Sequence, residues 1–455
     1  MSNPEIPDLA ASNPAMSNST MSSVAAPNPA ASDPATSAPA SSSSTAPTPA
    51  LLSSVRVIES SLLGPGLLST FLSDMGAEVI KVEPPQGDYI RQMTWPIIGD
   101  ESLLHLHTHR GKKSIVLDLK KPEAVEIYID LVRHADAVVE AMRPGALERR
   151  GLGFERLCEI NPRIVFCTIS GYGMTGPYKD MPSHGIAYDT WAGLLPPVTD
   201  EEGFCRIPPD FPNIGINVGP MIGALGVMAG IVRARATGEP ARMEIAQSDA
   251  AAYMDWYRIE TWRAYERPEA EVTGNPSDNY ERRPPGLAGM WGGVRYQIYE
   301  SSDGHVLFMA SEQAFWKNFC EGVERMDLFE RWPGATYADH ARNNTELQEI
   351  LRGIFRQRTS AEWLEFGDRV NTPIAPVNTP KNVADDPQFQ ARLPWLPESQ
   401  LGADQLPLPL KVVGEELPSP TRAPTVGRDT EDVLKRVLGY DGSRLDELRS
   451  GGVIN

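Results

Sequence analysis

The residues whose types and spacing could do chemistry fall in a few short clusters. Gly64-Pro65-Gly66 stands between an apolar run and a helical one, where backbone amides and a helix N-terminus can face a phosphate. The full GxGxxG pattern is absent, so an ordinary strand-to-helix turn explains these residues more readily. His105, His107 and His109 alternate, which on a strand would put three imidazoles on one face and suggest a metal. No further His or Cys cluster completes a shell, and no metal is expected. Arg110–Lys113 (RGKK) and Arg143–Arg150 (RPGALERR) are basic clusters that serve either an anionic ligand or a solvated face. The aromatic residues between Tyr253 and Tyr265 could line an acyl pocket or simply pack in a core. Cys158, Cys167, Cys205 and Cys320 are far apart and form no CxxC pair, so they are read as buried or incidental thiols.

Composition narrows the function classes. With 455 residues, 41% hydrophobic and 22% charged, the chain can bury a full core and holds two or three domains. A formal net charge of -18 argues against nucleic acid, which needs a surplus of Lys and Arg; an anionic ligand must find a local basic pocket. No apolar run is long enough to span a bilayer, and the first fifty residues lack the basic start and apolar stretch of a signal peptide. A cytoplasmic protein without a membrane segment is expected.

The elements that must position these residues can be read along the chain. Residues 1–50 are almost entirely Ala, Ser, Pro, Asn and Thr and predict a disordered tail. Strands are expected at 55–58, 78–83, 114–119, 137–140 and 163–169, alternating with helices at 67–75 and 122–135. This alternation predicts an α/β fold with a mostly parallel sheet covered on both faces, and ligands outside the carboxyl ends of its strands. A Gly/Ala-rich helix is drawn from Pro220 to Ala236, and a shorter one from Ala187 to Leu195. Residues 266–293 predict a linker, 294–393 a smaller α+β domain opening with two strands around a Ser301–Gly304 turn, and 394–455 a return to the large domain begun at 51–265. A last helix spans Thr430–Leu438 and stops at Gly439.

Several segments, in this order, resemble class III coenzyme A transferases, the CaiB/BaiF family that includes formyl-CoA transferase. They are GPGLLSTFLSDMGAEVIKVEPPQGD at 64–88, HRGKKSIVLDLKKPE at 109–123, ADAVVEAMRPGALERRGLG at 135–153, NPRIVFCTISGYGMTGPY at 161–178, YQIYESSDGHV at 296–306, NTPIAPVNTPKNVADDPQF at 371–389 and APTVGRDTEDVLKRVLGY at 423–440. The resemblance implies a Rossmann-like large domain built from both ends of the chain, a small domain between, and an interlocked dimer. It also implies acyl-CoA and a carboxylic acid as substrates. By motif, Leu117, Asp118, Leu119, Lys120, Ala141, Met142, Arg143 and Arg149 fall where family members contact coenzyme A, with Arg110 and Lys112 in the neighbouring basic loop. Pro84-Pro85 replaces a basic residue that some members carry there.

In the family an aspartate attacks the thioester, and the resemblance places it shortly before the Gly/Ala-rich helix. Counting back from Gly226 by the family's spacing reaches Ile216, in a stretch, NIGINVG, without any acid; a slip of one residue would give Asn217. Asp189 is the candidate substitute nucleophile, against the alternative of a plain surface acid on its helix. His184 matches the catalytic histidine of the racemase branch, whose aspartate partner would be the same missing residue. Three functions therefore stay open: a CoA-transferase with a displaced nucleophile; a non-catalytic subunit paired with a paralogue, as in two-subunit members of the benzylsuccinate CoA-transferase type; and an acyl-CoA racemase or isomerase using His184. A nicotinamide dehydrogenase lacks its glycine fingerprint and ranks last.

Overall fold

The computed structural model describes residues 49–274, 280–282, 285, 290–334 and 340–454, so the expected tail lies almost wholly outside the described residues. Six strands form the main sheet: β1 Arg56–Ser60, β2 Glu78–Glu83, β3 Lys113–Val116, β4 Ala137–Glu140, β5 Val165–Ser170 and β6 Ala241–Ala246. All pairings are parallel, in the order β3-β2-β1-β4-β5-β6. This is the doubly wound order, which reverses direction between β1 and β4.

Alternation along each strand splits the core into two layers. Ile58, Ile80, Ile115, Val138 and Phe166 face one layer, with α3 (Pro122–Arg133), α4 (Phe154–Ile160), α15 (Thr430–Leu438) and α16 (Gly442–Ser450). Val57, Val79, Val139 and Val165 face the other, with α1 (Leu67–Asp74) and α6 (Gly215–Thr237). Two shorter helices, α2 (Leu103–Thr108) and α5 (Ile186–Trp191), come before β3 and α6 in the chain, and α7 (Gln247–Met254) and α8 (Trp256–Ala264) follow β6.

α6 begins at Gly215, not at Pro220, which puts Ile216 and Asn217 on its first turn. By length and composition α6 is apolar enough to cross a bilayer; one side of it packs in the core through Ala224, Val227 and Ile231, while Met221, Leu225 and Val232 are exposed on the other. A Cβ on Gly223 would lie 2.4 Å from Leu68 Cδ1, and one on Gly230 2.9 Å from Val165 Cγ1. Only glycine permits this approach.

A second sheet, antiparallel β7 (Tyr296–Glu300), β8 (His305–Met309) and β9 (Ile374–Pro376), has its own aromatic core. Phe308, Trp316, Phe319, Phe355, Trp363 and Phe366 interlock between it and α9 (Gln313–Gly322), α10 (Met326–Arg331), α11 (Thr345–Phe355) and α12 (Ser360–Val370). Short helices α13 (Pro387–Arg392) and α14 (Glu398–Leu401) precede the return to the main sheet. The aromatic stretch belongs to neither core: no residue of α8 is buried, and Trp256 and Trp262 are 50% and 61% exposed. Cys167 and Cys320 are buried, Cys158 half-buried and Cys205 exposed.

Candidate functional site

In doubly wound sheets such a reversal sets a crevice at the carboxyl ends of the two strands, here where Ser60 pairs with Glu140. Two segments leave it, the loop from Ser61 to Gly66 and the Ala141–Arg143 turn. Ala141 N–H donates to Ser60 O at 3.1 Å. Met142 N–H donates to Glu140 Oε2 at 2.8 Å, and burial raises the Glu140 carboxyl. The first turn of α6 faces this crevice. A Cβ on Gly64 would lie 3.9 Å from Ile216 Cβ, and one on Gly185 2.9 Å from Ile216 Cγ2. Ile216 is therefore wedged between the Gly64-Pro65-Gly66 turn and the His184–Gly185 segment. Asn217 is exposed and its amide donates to Asn213 O; His184 is exposed as well.

Asp189 is not a surface acid. It is 1% exposed, and its Oδ1 accepts the Gly215 N–H at 2.9 Å, so it caps the helix that carries Ile216. Oδ2 is buried with no hydrogen-bond partner. Burial raises the Asp189 carboxyl above the ordinary range, against the lowering effect of the Gly215 and Ile214 amides. One carboxylate oxygen is thus held by the helix and the other has no partner.

Arg110 and Lys112 face inward rather than toward a ligand. Arg110 grips Asp74 through Nε at 3.1 Å and Nη2 at 2.6 Å and donates to Gln405 Oε1 and Leu406 O. Lys112 donates to Glu59 Oε2 at 2.7 Å and to Gly66 O at 2.6 Å. Replacing Arg110 with methionine would leave Asp74 buried and unpaired. The expected cost is about 3–5 kcal/mol in a denaturant titration, with coenzyme A affinity of the folded protein unchanged. The histidines lie on or beside α2 rather than on a strand, and the described residues contain no metal-binding group of three or more His, Cys, Asp or Glu.

Other basic residues do converge. Lys120, Lys121, Arg149 and Arg150 line a cleft of about 560 Å³ with Leu119, opposed by Glu126. The turn after β3 builds one wall: Asp118 N–H donates to Val453 O, and Asp118 Oδ1 accepts the Lys120 N–H. Leu117 is buried in the core beneath it, while Arg143 is exposed at the crevice. The sequence alone does not single out Lys121, although it neighbours a residue that it does, while Arg150 closes the basic 143–150 cluster.

The profile of CoA-transferase family III matches residues 52–430. The chain belongs to CoA-transferase family III. Members of this family move coenzyme A between an acyl-CoA and a carboxylic acid. The chain is 29% identical over 412 residues to human succinyl-CoA:glutarate CoA-transferase, covering 89% of this chain and 90% of that one. It is 30% identical over 423 residues to the succinyl-CoA–L-malate CoA-transferase beta subunit of Chloroflexus aurantiacus, covering 89% and 98%. Among solved structures, a CaiB/BaiF family protein from Brucella suis superposes with a TM-score of 0.66 at 23% identity, over 84% of this chain and 98% of that one, and so shares the fold. A Mycobacterium tuberculosis protein does so with a TM-score of 0.67 at 23% identity, over 86% and 99%. Within this CoA-transferase fold, the crevice at β1 and β4 and the cleft after β3 are the two features that the motif-matched residues outline.

Proposed function

We propose that this family III chain is a CoA-transferase that carries its own nucleophile, Asp189. The observation behind the reading is the buried Asp189 carboxylate at the Gly215 amide, on the same helical turn as Ile216, with one oxygen uncommitted. The ionised carboxylate attacks the acyl-CoA carbonyl and expels the CoA thiolate, leaving a mixed anhydride on Asp189. The thiolate then attacks the Asp189 carbonyl, releasing the donor acid and forming an enzyme-CoA thioester. An acceptor carboxylate repeats the two steps in reverse, and Asp189 is regenerated. The cationic cleft at Lys120 and Arg149 would hold the CoA phosphates. Relatives are named for succinyl-CoA and acetyl-CoA, which favours a short acyl donor. The exposed Trp256 and Trp262 give no reason to expect a bulky one.

The test is mass spectrometry of the purified chain after incubation with acyl-CoAs and hydroxylamine, which converts an activated carboxyl to a hydroxamate. A hydroxamate on Asp189 supports the reading. Its absence, with coenzyme A bound, sinks it in favour of a subunit that works through an aspartate-bearing paralogue. The absence of an acid at Ile216 or Asn217, where the family's spacing points for the nucleophile, favours that second reading, as does the similarity to a protein named as a beta subunit. Racemisation through His184 needs a second acid/base group across the α-carbon, whereas Asp189 is turned to a helix N-terminus.

The same reading includes a small domain at 294–393 and an intimate dimer, homomeric or with a paralogue. α8 carries Trp256, Tyr257, Ile259 and Trp262, all of which the single chain leaves exposed. Replacing Trp256 and Trp262 with serine is expected to weaken association by about 2–4 kcal/mol per hot spot. Sedimentation of wild type and variant across a dilution series would show dimer for the first and monomer for the second.

A further inference from the structure

Beneath the Ser61–Gly66 loop lies a cluster of charged groups that the proposed chemistry does not use. Glu59, Glu83 and Asp88 oppose Lys81, Arg91 and Lys112, and every one of these side chains except Arg91 is fully buried. The carboxylates and cations balance, and His109 joins them as a neutral ring, since burial, with Lys81 and Lys112, lowers it to about 3. Burial alone would raise the Glu59 carboxyl, but Lys112 and Lys81 hold it well below the ordinary range.

The cluster reaches upward to the loop backbone at three points. Lys81 Nζ donates to Ser61 O at 2.7 Å. Asp88 Oδ2 accepts the Leu63 N–H at 3.2 Å, and Lys112 Nζ donates to Gly66 O at 2.6 Å. Ser61 and Ser69 add hydroxyl bonds to Glu59. Between these points Leu63 sits at φ 63 and ψ -149, a conformation that a leucine rarely adopts and that persists only where its surroundings impose it. The loop so held stands against Ile216, on the turn capped by Asp189.

We propose that Glu59, Lys81, Asp88 and Lys112 are positioning residues: they clamp the Ser61–Gly66 loop from below into the one shape that lets it wall the acyl-transfer site. The inference rests on the reading that acyl transfer takes place at this crevice. Lys112 and Glu59 act through Gly66 and the loop, and touch no substrate.

The test compares Lys112→Met with the paired variant Glu59→Gln/Lys112→Met. The single change leaves Glu59 short of a buried partner and lowers the melting temperature, whereas the paired change removes both charges and recovers it. A positioning role predicts that turnover stays about 100-fold down in both, as a shift of about 1 Å would cause, with the dissociation constant of coenzyme A unchanged. Hydrogen exchange at the 61–66 amides of the folded paired variant should be at least about tenfold faster than in wild type. Turnover that returns with the melting temperature, or loop exchange that does not change, would overturn the proposal. If wild type itself transfers no CoA, the Asp189 reading has failed, and loop exchange alone decides for or against the clamp. Should the paired variant not fold, Lys81→Met/Asp88→Asn, which releases Ser61 and Leu63 of the same loop, is read in the same way.

Discussion

Asp189→Asn is expected to abolish hydroxamate formation and to lower turnover by about 10³-fold or more, the scale for removing a covalent nucleophile, while the protein stays folded. The asparagine carbonyl can still accept the Gly215 N–H that Asp189 Oδ1 now holds at 2.9 Å, so the cap on α6 survives the loss of charge. Stopped-flow turnover and a thermal melt on the same preparation separate the two effects. The raised Asp189 pKa adds a signature. Attack requires the ionised form, so acylation should fall as pH drops through a value above the ordinary aspartate range. Between the ordinary and the raised value the folded state binds the proton and the unfolded state does not, so this group makes stability fall as pH rises through that window. The Asp189→Asn variant carries neither dependence. A variant that kept full turnover would move the nucleophile elsewhere.

Charge reversal in the cleft after β3 should strike binding instead. Lys120→Glu with Arg149→Glu is expected to weaken coenzyme A by about 100-fold or more, as two charge-assisted phosphate contacts become repulsions. The effect should be larger at low salt, because both side chains are exposed and screened. On a chain of formal net charge -18, these cations have no distant positive field to replace them. Isothermal titration at two ionic strengths measures both the loss and its salt dependence. Unchanged affinity would place the CoA phosphates away from this cleft.

The sequence made the main sheet legible where apolar strands run between helices. The 78–83 and 137–140 segments fold as expected because Val79 and Val139 fill one core layer while Ile80, Val82 and Val138 fill the other, even with charged Lys81, Glu83 and Glu140 buried in the same strands. It concealed β6, whose ARMEIA sequence alternates with exposed Arg242 and Glu244 at the edge of the sheet and shows no continuous apolar run. It also misplaced the start of α6: Gly215 and Gly219 discourage a helix by propensity, yet both are needed for contact with Tyr188 and Gln247. Among the site residues, basic clusters were visible but their direction was not. Lys112 points into the core and Lys120 out of it, a difference decided by partners such as Glu59 that lie far away in sequence. Asp189 looked like a surface acid because its partner is a backbone amide, which no side-chain pattern reveals.

The edge strand β3 is latched by residues far along the chain. Ser114 N–H donates to Asp429 Oδ2 across 315 positions, Val116 N–H donates to Thr430 Oγ1, and Asp118 N–H to Val453 O. During synthesis at about 5–20 residues per second, this edge would stand open for roughly 15–60 s after β3 emerges. Throughout that interval Ile115, Leu117 and the inner face of α3 lack Val433, Leu434 and Leu448, which cover them in the finished fold. The wall that carries Lys120 is thus among the last parts of the molecule to set. A nascent chain stalled before residue 429 would offer an open strand edge and an uncovered apolar face to whatever chaperone or neighbouring chain reached it first.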